Sequence, residues 1–277
     1  MNGFEQVALG GVCLARGLRA GFRPERWGAW LPLLLARLAI VTALAACAHP
    51  ALSWAMAPLL RALAGEDALR YPQAFAHLAP FAARADLLAW ALIGLPCAGR
   101  ATRAFAAACG APVPRVRGAV PEALLLIAAG LPAVLFVAAT QTGLGVLAGF
   151  RMSAISRLLV QQAGAAAIIT VQAATLYVVA EIVLRGANAL EALAAIPRSL
   201  TAGFLPALVV LVLLALLLVP FAVLAPAAAA GRWHDLPEAA VVVAALRAVA
   251  ATLVAIAATA AATLAWLAVL AESENRP

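Results

Sequence analysis

The sequence contains no lysine. All 19 basic residues are arginine, set against 12 acidic residues, and charged residues make up only 11% of the 277. Soluble domains carry about 25% charged residues. A chain of this size with so little charge cannot cover a water-soluble core. With 66% hydrophobic residues and a mean hydropathy of +1.03, its natural solvent is a bilayer. Aromatic residues are also scarce, at 6%, and no stripe interleaves them with arginine, so nucleic acid is excluded as a partner despite the net charge of +7. A basic membrane protein more simply keeps its arginines beside anionic cytoplasmic lipid. The missing lysine and the abundant alanine point to GC-rich coding and a bacterial source, and say little about selection for guanidinium chemistry.

Metal-binding and catalytic patterns are absent as well. Cys13, Cys47, Cys97 and Cys109 form no CxxC and have no metal-ligand spacing, so they read as small apolar residues in helices. The three histidines, His49, His77 and His234, fall in segments read as outer, near Glu66, Asp67 and Asp235. Their spacing matches no metal motif, and no metal is expected. There is no GxSxG, Walker loop, HExxH or Ser/His/Asp set, so no catalytic residue and no cofactor is expected. The first 28 residues hold no long apolar run, which excludes a cleavable signal peptide; the first span would itself direct insertion.

What the chain does have is long apolar runs. Six spans of roughly 20 residues are expected, near 29–48, 87–107, 121–141, 164–185, 204–225 and 248–270. Before them, residues 1–26 form a cytoplasmic amphipathic segment. Within it Phe4, Val7, Gly11, Leu14, Leu18 and Phe22 recur at helical spacing, with Glu5, Arg16, Arg19 and Arg23 off the stripe. Such a helix can lie in the headgroup plane. Residues 49–86 read as an outer interfacial segment with two short stripes, one at Leu52, Met56, Leu59, Leu60 and Leu63, the other at Phe75, Leu78, Ala79 and Ala82. GEDALRYP, residues 65–72, is the turn between them. Whether residues 49–64 lie on the membrane or re-enter it stays open at this point. Glu122 and Glu238, each beside a proline, and Asp86 read as helix starts at the positive end of a helix dipole. With the N-terminus inside, inner segments hold eleven arginines and outer segments seven, which places both termini in the cytoplasm.

The fold expected is therefore all-α: a single integral membrane domain over residues 1–277, with about six transmembrane helices in three helical hairpins and interfacial amphipathic helices beside them. The hairpins begin at RGLRAGFRPERWGAWLPLLL, GAPVPRVRGAVPEALLLI and EALAAIPRSLTAGFLPALVVL, a loose internal repeat. The third unit, ALAAIPRSLTAGFLPALVVLVLLALLLVPF, resembles a broad group of six-span bacterial inner-membrane proteins. One branch of that group is the membrane domain fused to some glycerophosphodiester phosphodiesterases; others stand alone without an assigned activity. The resemblance covers the layout of most of the chain and no diagnostic motif. It implies a membrane protein and carries over no active-site residue.

A few polar groups stand in apolar surroundings. Arg37, in LLLARLAIV, lies about 10 Å into the first span if that span enters near Trp27 or Trp30. Glu181 lies a similar distance from the inner end of the fourth span, four residues before Arg185 in the favourable order. Arg100 and Arg103 lie in the inner half of the second. These depths predict an inner-leaflet charge cluster of Arg37, Arg100, Arg103, Glu181 and Arg185. In one version an Arg37–Glu181 pair locks two helices; in another the arginines bind an anionic headgroup or solute; in a third Glu181 couples to protons. Thr170, Tyr177, Thr252, Thr259 and Thr263, on the fourth and sixth spans, line a polar path or else join closely packed helices. The function expected is a non-enzymatic component of the bacterial inner membrane that interacts with lipid, anionic inner-leaflet lipid above all, or belongs to a larger assembly, with a protein partner or a second copy. The alternative is a permease-like carrier of a small anionic solute or lipid along spans four and six.

Overall fold

The computed structural model describes residues 3–48, 54, 57–58, 61–62, 65–66, 73–114, 118–148, 153–229 and 237–274. Among these there is no strand. The helices are α1 (Gly3–Gly21), α2 (Leu31–Ala48), α3 (Gln73–Ala89), α4 (Leu95–Ala108), α5 (Ala119–Ala148), α6 (Ala154–Thr175), α7 (Val178–Leu184), α8 (Ala189–Ala194), α9 (Ile196–Ala229) and α10 (Pro237–Glu274). A 3₁₀ turn, Pro24–Ala29, follows α1, and a π turn, Trp90–Gly94, joins α3 to α4.

Among the described residues, five helical stretches are long and apolar enough to cross a membrane: Phe81–Ala108, Ala119–Leu144, Leu158–Leu184, Gly203–Phe221 and Val241–Val269. The chain is a multi-pass, all-helical membrane protein. Of the first of the six expected spans, the apolar stretch among the described residues is Leu31–Ala46. At 1.5 Å per residue that is about 24 Å, short of a hydrocarbon core of about 30 Å.

The second span also departs from expectation. It begins at Phe81, and its helix runs without a break from Gln73 through the π turn to Ala108. The stripe at Phe75 to Ala82 is thus the start of this helix and not a separate interfacial one. Asp86 is not a helix start either; it lies inside α3, in a run of alanine and leucine that has no reason to break. The π turn has a local cause. Pro96 has no N–H to give to Leu92, four residues before it, and widening the ladder there relieves the clash of its ring. The fourth span breaks at Leu176–Tyr177, between α6 and α7. Of the outer segment, residues 49–53, 55–56, 59–60, 63–64 and 67–72 lie outside the described residues, so the stripe at Leu52 to Leu63 is not described. Gly65, in the expected turn, has φ +80° and donates its N–H to the Arg61 carbonyl at 3.1 Å.

The backbone groups into two compact units. One comprises Met1–Trp30, Ala91–Ala215 and Leu253–Pro277; the other comprises Leu31–Trp90 and Leu216–Thr252. In the first unit α4 packs on α5 and α7, and α5 packs on α6. Small residues let the α4 and α5 backbones approach. Gly99 faces Leu126 and Gly130 faces Leu95, so each helix offers one leucine and one glycine, four residues apart, to the other. This is membrane-type packing, in which close approach replaces a hydrophobic driving force.

Helix α1 belongs to the same unit. Its buried face is Gly10, Cys13, Leu14 and Gly17. A Cβ on Gly10 would stand 3.0 Å from the Pro206 backbone of α9, and one on Gly17 would stand 2.6 Å from the Ala257 carbonyl oxygen of α10. The stripe read from sequence is therefore split. Leu14 and Leu18 pack inward, while Phe4, Val7 and Phe22 are exposed. Hydrophobicity alone misplaces this face, because two of the packing positions are glycines.

The same packing buries Cys13 and Cys97 and leaves Cys109 exposed at the end of α4. In a Cys47→Ala chain in mild detergent, maleimide is expected to label Cys109 within minutes and the two buried thiols at least ten times more slowly. Peptide mapping by mass spectrometry checks this, and equal labelling of all three would contradict the packing.

Candidate functional site

Four of the five residues of the expected charge cluster have ion-pair partners in the structure. In the second unit, α2 packs on α3 and places Arg37 against Asp86. Arg37 Nε donates to Asp86 Oδ1 at 2.8 Å, and Nη1 donates to Thr252 Oγ1 at 3.2 Å. The guanidinium carbon lies 6.0 Å from the Trp90 ring centroid. Arg37 is 8% exposed, so the protein itself, not a snorkelling side chain, satisfies this charge. The acid that holds Arg37 is Asp86. The expected Arg37–Glu181 lock is corrected on this point.

Glu181 lies on α7 in the first unit and is 7% exposed. One carboxylate oxygen, Oε1, accepts from Trp266 Nε1 at 3.1 Å; the other, Oε2, accepts from Arg185 Nη1 at 3.3 Å. Arg185 in turn lies over the Trp266 ring at 5.6 Å, a cation–π contact that closes a triangle of carboxylate, guanidinium and indole. The local fold builds this triangle. Arg185 caps α7 one turn after Glu181, and Gly186, at φ +70°, ends the helix in the left-handed conformation that glycine adopts without strain. Of the five residues, Glu181 and Arg185 are the two brought together.

Arg103 spans a connection. It donates to the Pro114 carbonyl at 2.8 Å and pairs with Glu122 in the first turn of α5. Glu122 thus keeps its helix-start role and adds an ion pair to it. Arg100 is exposed on α4, with no acidic partner among the described residues. Arg26, on the 3₁₀ turn, stacks on Phe105 at 5.2 Å.

Three of the five residues of the expected polar path have hydroxyls that donate to backbone carbonyls. Tyr177 is buried, and its hydroxyl donates to the Gly203 carbonyl at 2.7 Å, in a notch that exists because Gly203 has no side chain. Thr252 and Thr263 are buried, and their hydroxyls donate to the carbonyls of Ala248 and Thr259, one turn back on their own helix. Thr170 is exposed and Thr259 half-buried. His49, His234 and the side chain of His77 lie outside the described residues. Among the described residues no three His, Cys, Asp or Glu side chains gather where a metal could bind.

Two partners escaped the sequence reading. Trp266 sits in an alanine-rich stretch with nothing to couple it to Glu181, 85 positions away. Asp86 was available: FAARADLLAW contains no breaker after Phe81, which signals an acid inside a helix and not at its start.

One thiol is perturbed. Burial pushes Cys13 up from the ordinary thiol value, with nearby Arg16 pulling it part of the way back. Comparison with protein-family models, with curated proteins and with solved structures found no match to this chain.

Proposed function

We propose that this chain is a non-enzymatic, lipid-interacting component of a bacterial inner membrane, and that α1 is its contact with anionic lipid of the inner leaflet. The observation that carries this reading is the outward face of α1. Glycine packing fixes the helix on its unit by one side. The other side exposes Phe4, Val7, Val12 and, just beyond the helix, Phe22, together with Arg16, Arg19 and Arg23. Among the described residues no acid pairs with these three arginines. Apolar side chains beside free guanidinium groups suit the boundary between acyl chains and headgroups. Each arginine near an anionic surface contributes about 1 kcal/mol. Arg37, Arg103 and Arg185 fit this role less well, because each already has a carboxylate of its own.

Native mass spectrometry from mild detergent, with phosphatidylglycerol or phosphatidylcholine supplied, tests the reading. The wild-type chain is expected to retain phosphatidylglycerol, and an Arg16→Gln/Arg19→Gln/Arg23→Gln chain at least ten-fold less of it, with phosphatidylcholine unchanged. Equal retention of phosphatidylglycerol by both would end the lipid reading of α1 and turn attention to protein partners. The inward orientation is checked on Cys109. A membrane-impermeant maleimide added to spheroplasts should miss it until the membrane is opened.

A further inference from the structure

The Arg37 site in the second unit has its charges placed the wrong way round for a purely structural pair. The cation is the buried member, with a side chain 9% exposed, while the side chain of its carboxylate partner Asp86 is 43% exposed. The contact is also incomplete. Asp86 reaches only Nε, through one oxygen, instead of forming the two-pronged fork that makes arginine–carboxylate pairs strongest. Thr252 holds Nη1, which leaves Nη2 as the remaining donor on the edge that Asp86 approaches. Among the described residues no other acid serves this arginine. Among the described side chains of the unit, the second acid is Glu66, held by Arg61 at 3.1 Å. The other described cations are Arg84, over the Phe81 ring, and exposed Arg247. An ionisable residue this deep beside apolar helices marks a binding site by default.

We propose that Asp86 is a tethered occupant of an anion site centred on Arg37, and that a carboxylate or phosphate group takes its place. The incoming anion spans Nε and Nη2, a geometry that guanidinium matches to both groups. Thr252 keeps the guanidinium in position, and the Trp90 ring flanks it. Asp86 swings toward the exposed side it already occupies in part. The phosphate belongs either to a free solute or to a lipid headgroup; the chemistry at Arg37 is the same. The site shares no residue with the α1 surface, so either reading can fail alone.

The test uses the full chain in mild detergent. Asp86→Asn keeps the side-chain volume and removes the competing charge. Inorganic phosphate, followed by the shift in thermal unfolding midpoint, is expected to bind this variant at least ten-fold more tightly than the wild type. It is expected to show no such gain on Arg37→Gln/Asp86→Asn. A second variant guards against a folding defect. Asp86→Ala should lose stability, and acetate should restore it saturably, whereas chloride at equal ionic strength should not. Phosphate affinities equal in the wild type, Asp86→Asn and the double variant would overturn the proposal, as would Asp86→Ala indifferent to acetate. Native mass spectrometry then separates the sources. Phosphatidylglycerol retained by Asp86→Asn and lost in the double variant names a lipid phosphate; phosphate binding without lipid retention names a solute.

Discussion

Substituting Gly17 with valine is expected to convert Cys13 from an inert thiol into one that maleimide modifies at least ten times faster. A Cβ at Gly17 would stand 2.6 Å from the Ala257 carbonyl oxygen and 3.1 Å from both the backbone nitrogen and the Cβ of Ala261. These are atoms of the α10 backbone and its first side-chain carbon, and none can rotate away. Overpacking of this kind costs about 1–3 kcal/mol even where neighbours adjust. Here the simplest relief is for α1 to leave its seat, which uncovers Cys13, one turn earlier on the same face. Burial holds the Cys13 thiol above its ordinary pKa. Undocking lets that pKa fall back, so more thiolate, the reactive form, is present at a given pH. The linkage has a definite sign. Docking of α1 keeps its full strength below the ordinary thiol pKa and weakens as pH rises past it, because the docked state disfavours the ionised thiol. Gly11 supplies the control: a Cβ there meets nothing within 4 Å, and Gly11→Ala should leave Cys13 as slow as in the wild type. The experiment needs Cys47→Ala and Cys109→Ala in the background and a labelling time course at pH 8. Equal Cys13 rates in Gly17→Val and wild type would mean that α1 does not dock through this face.

Glu181→Ala is expected to cost about 3 kcal/mol, read from the unfolding midpoint in detergent against denaturant. Two losses combine. Trp266 Nε1 is left buried without its acceptor, at about 1–3 kcal/mol for such an orphaned donor. Arg185 loses its counter-charge, but 45% of its side chain is exposed, so water or headgroups can take over and this share is small. Glu181→Gln separates the two, because its amide oxygen can still accept from the indole. It should cost about 1 kcal/mol, while Trp266→Phe, which removes the donor and keeps most of the ring, should fall between. If Glu181→Gln proves as damaging as Glu181→Ala, the negative charge rather than the indole hydrogen bond holds this end of α7.

These experiments bear on features that the sequence reveals to very different degrees. The solvent, the helical class and most spans follow from composition and run length, because a bilayer demands runs of apolar residues whose backbone groups are satisfied within the helix. The stretch from Ala119 to Leu144 is legible in this way, as is Glu122 at its start. Helix α1 is legible as an element, but its inward face is not, since Gly10 and Gly17 contribute the absence of a side chain and carry no hydrophobic signal.

Charge partners were the least legible. Arg37, Glu181 and Arg185 stand out in the sequence because a charge among apolar residues is conspicuous wherever it lies. The partner is set by which helices are adjacent and by their axial rotation. Arg37 finds Asp86 49 positions away and Thr252 215 positions away, and Glu181 finds Trp266 through packing between α7 and α10. The sequence by itself determined that this chain lives in a membrane, and which of its charges must be neutralised there. Only the tertiary structure decided what neutralises them. Depth along a helix can be counted in residues, but the choice of neighbour depends on small-residue contacts between helices, and linear spacing does not encode those.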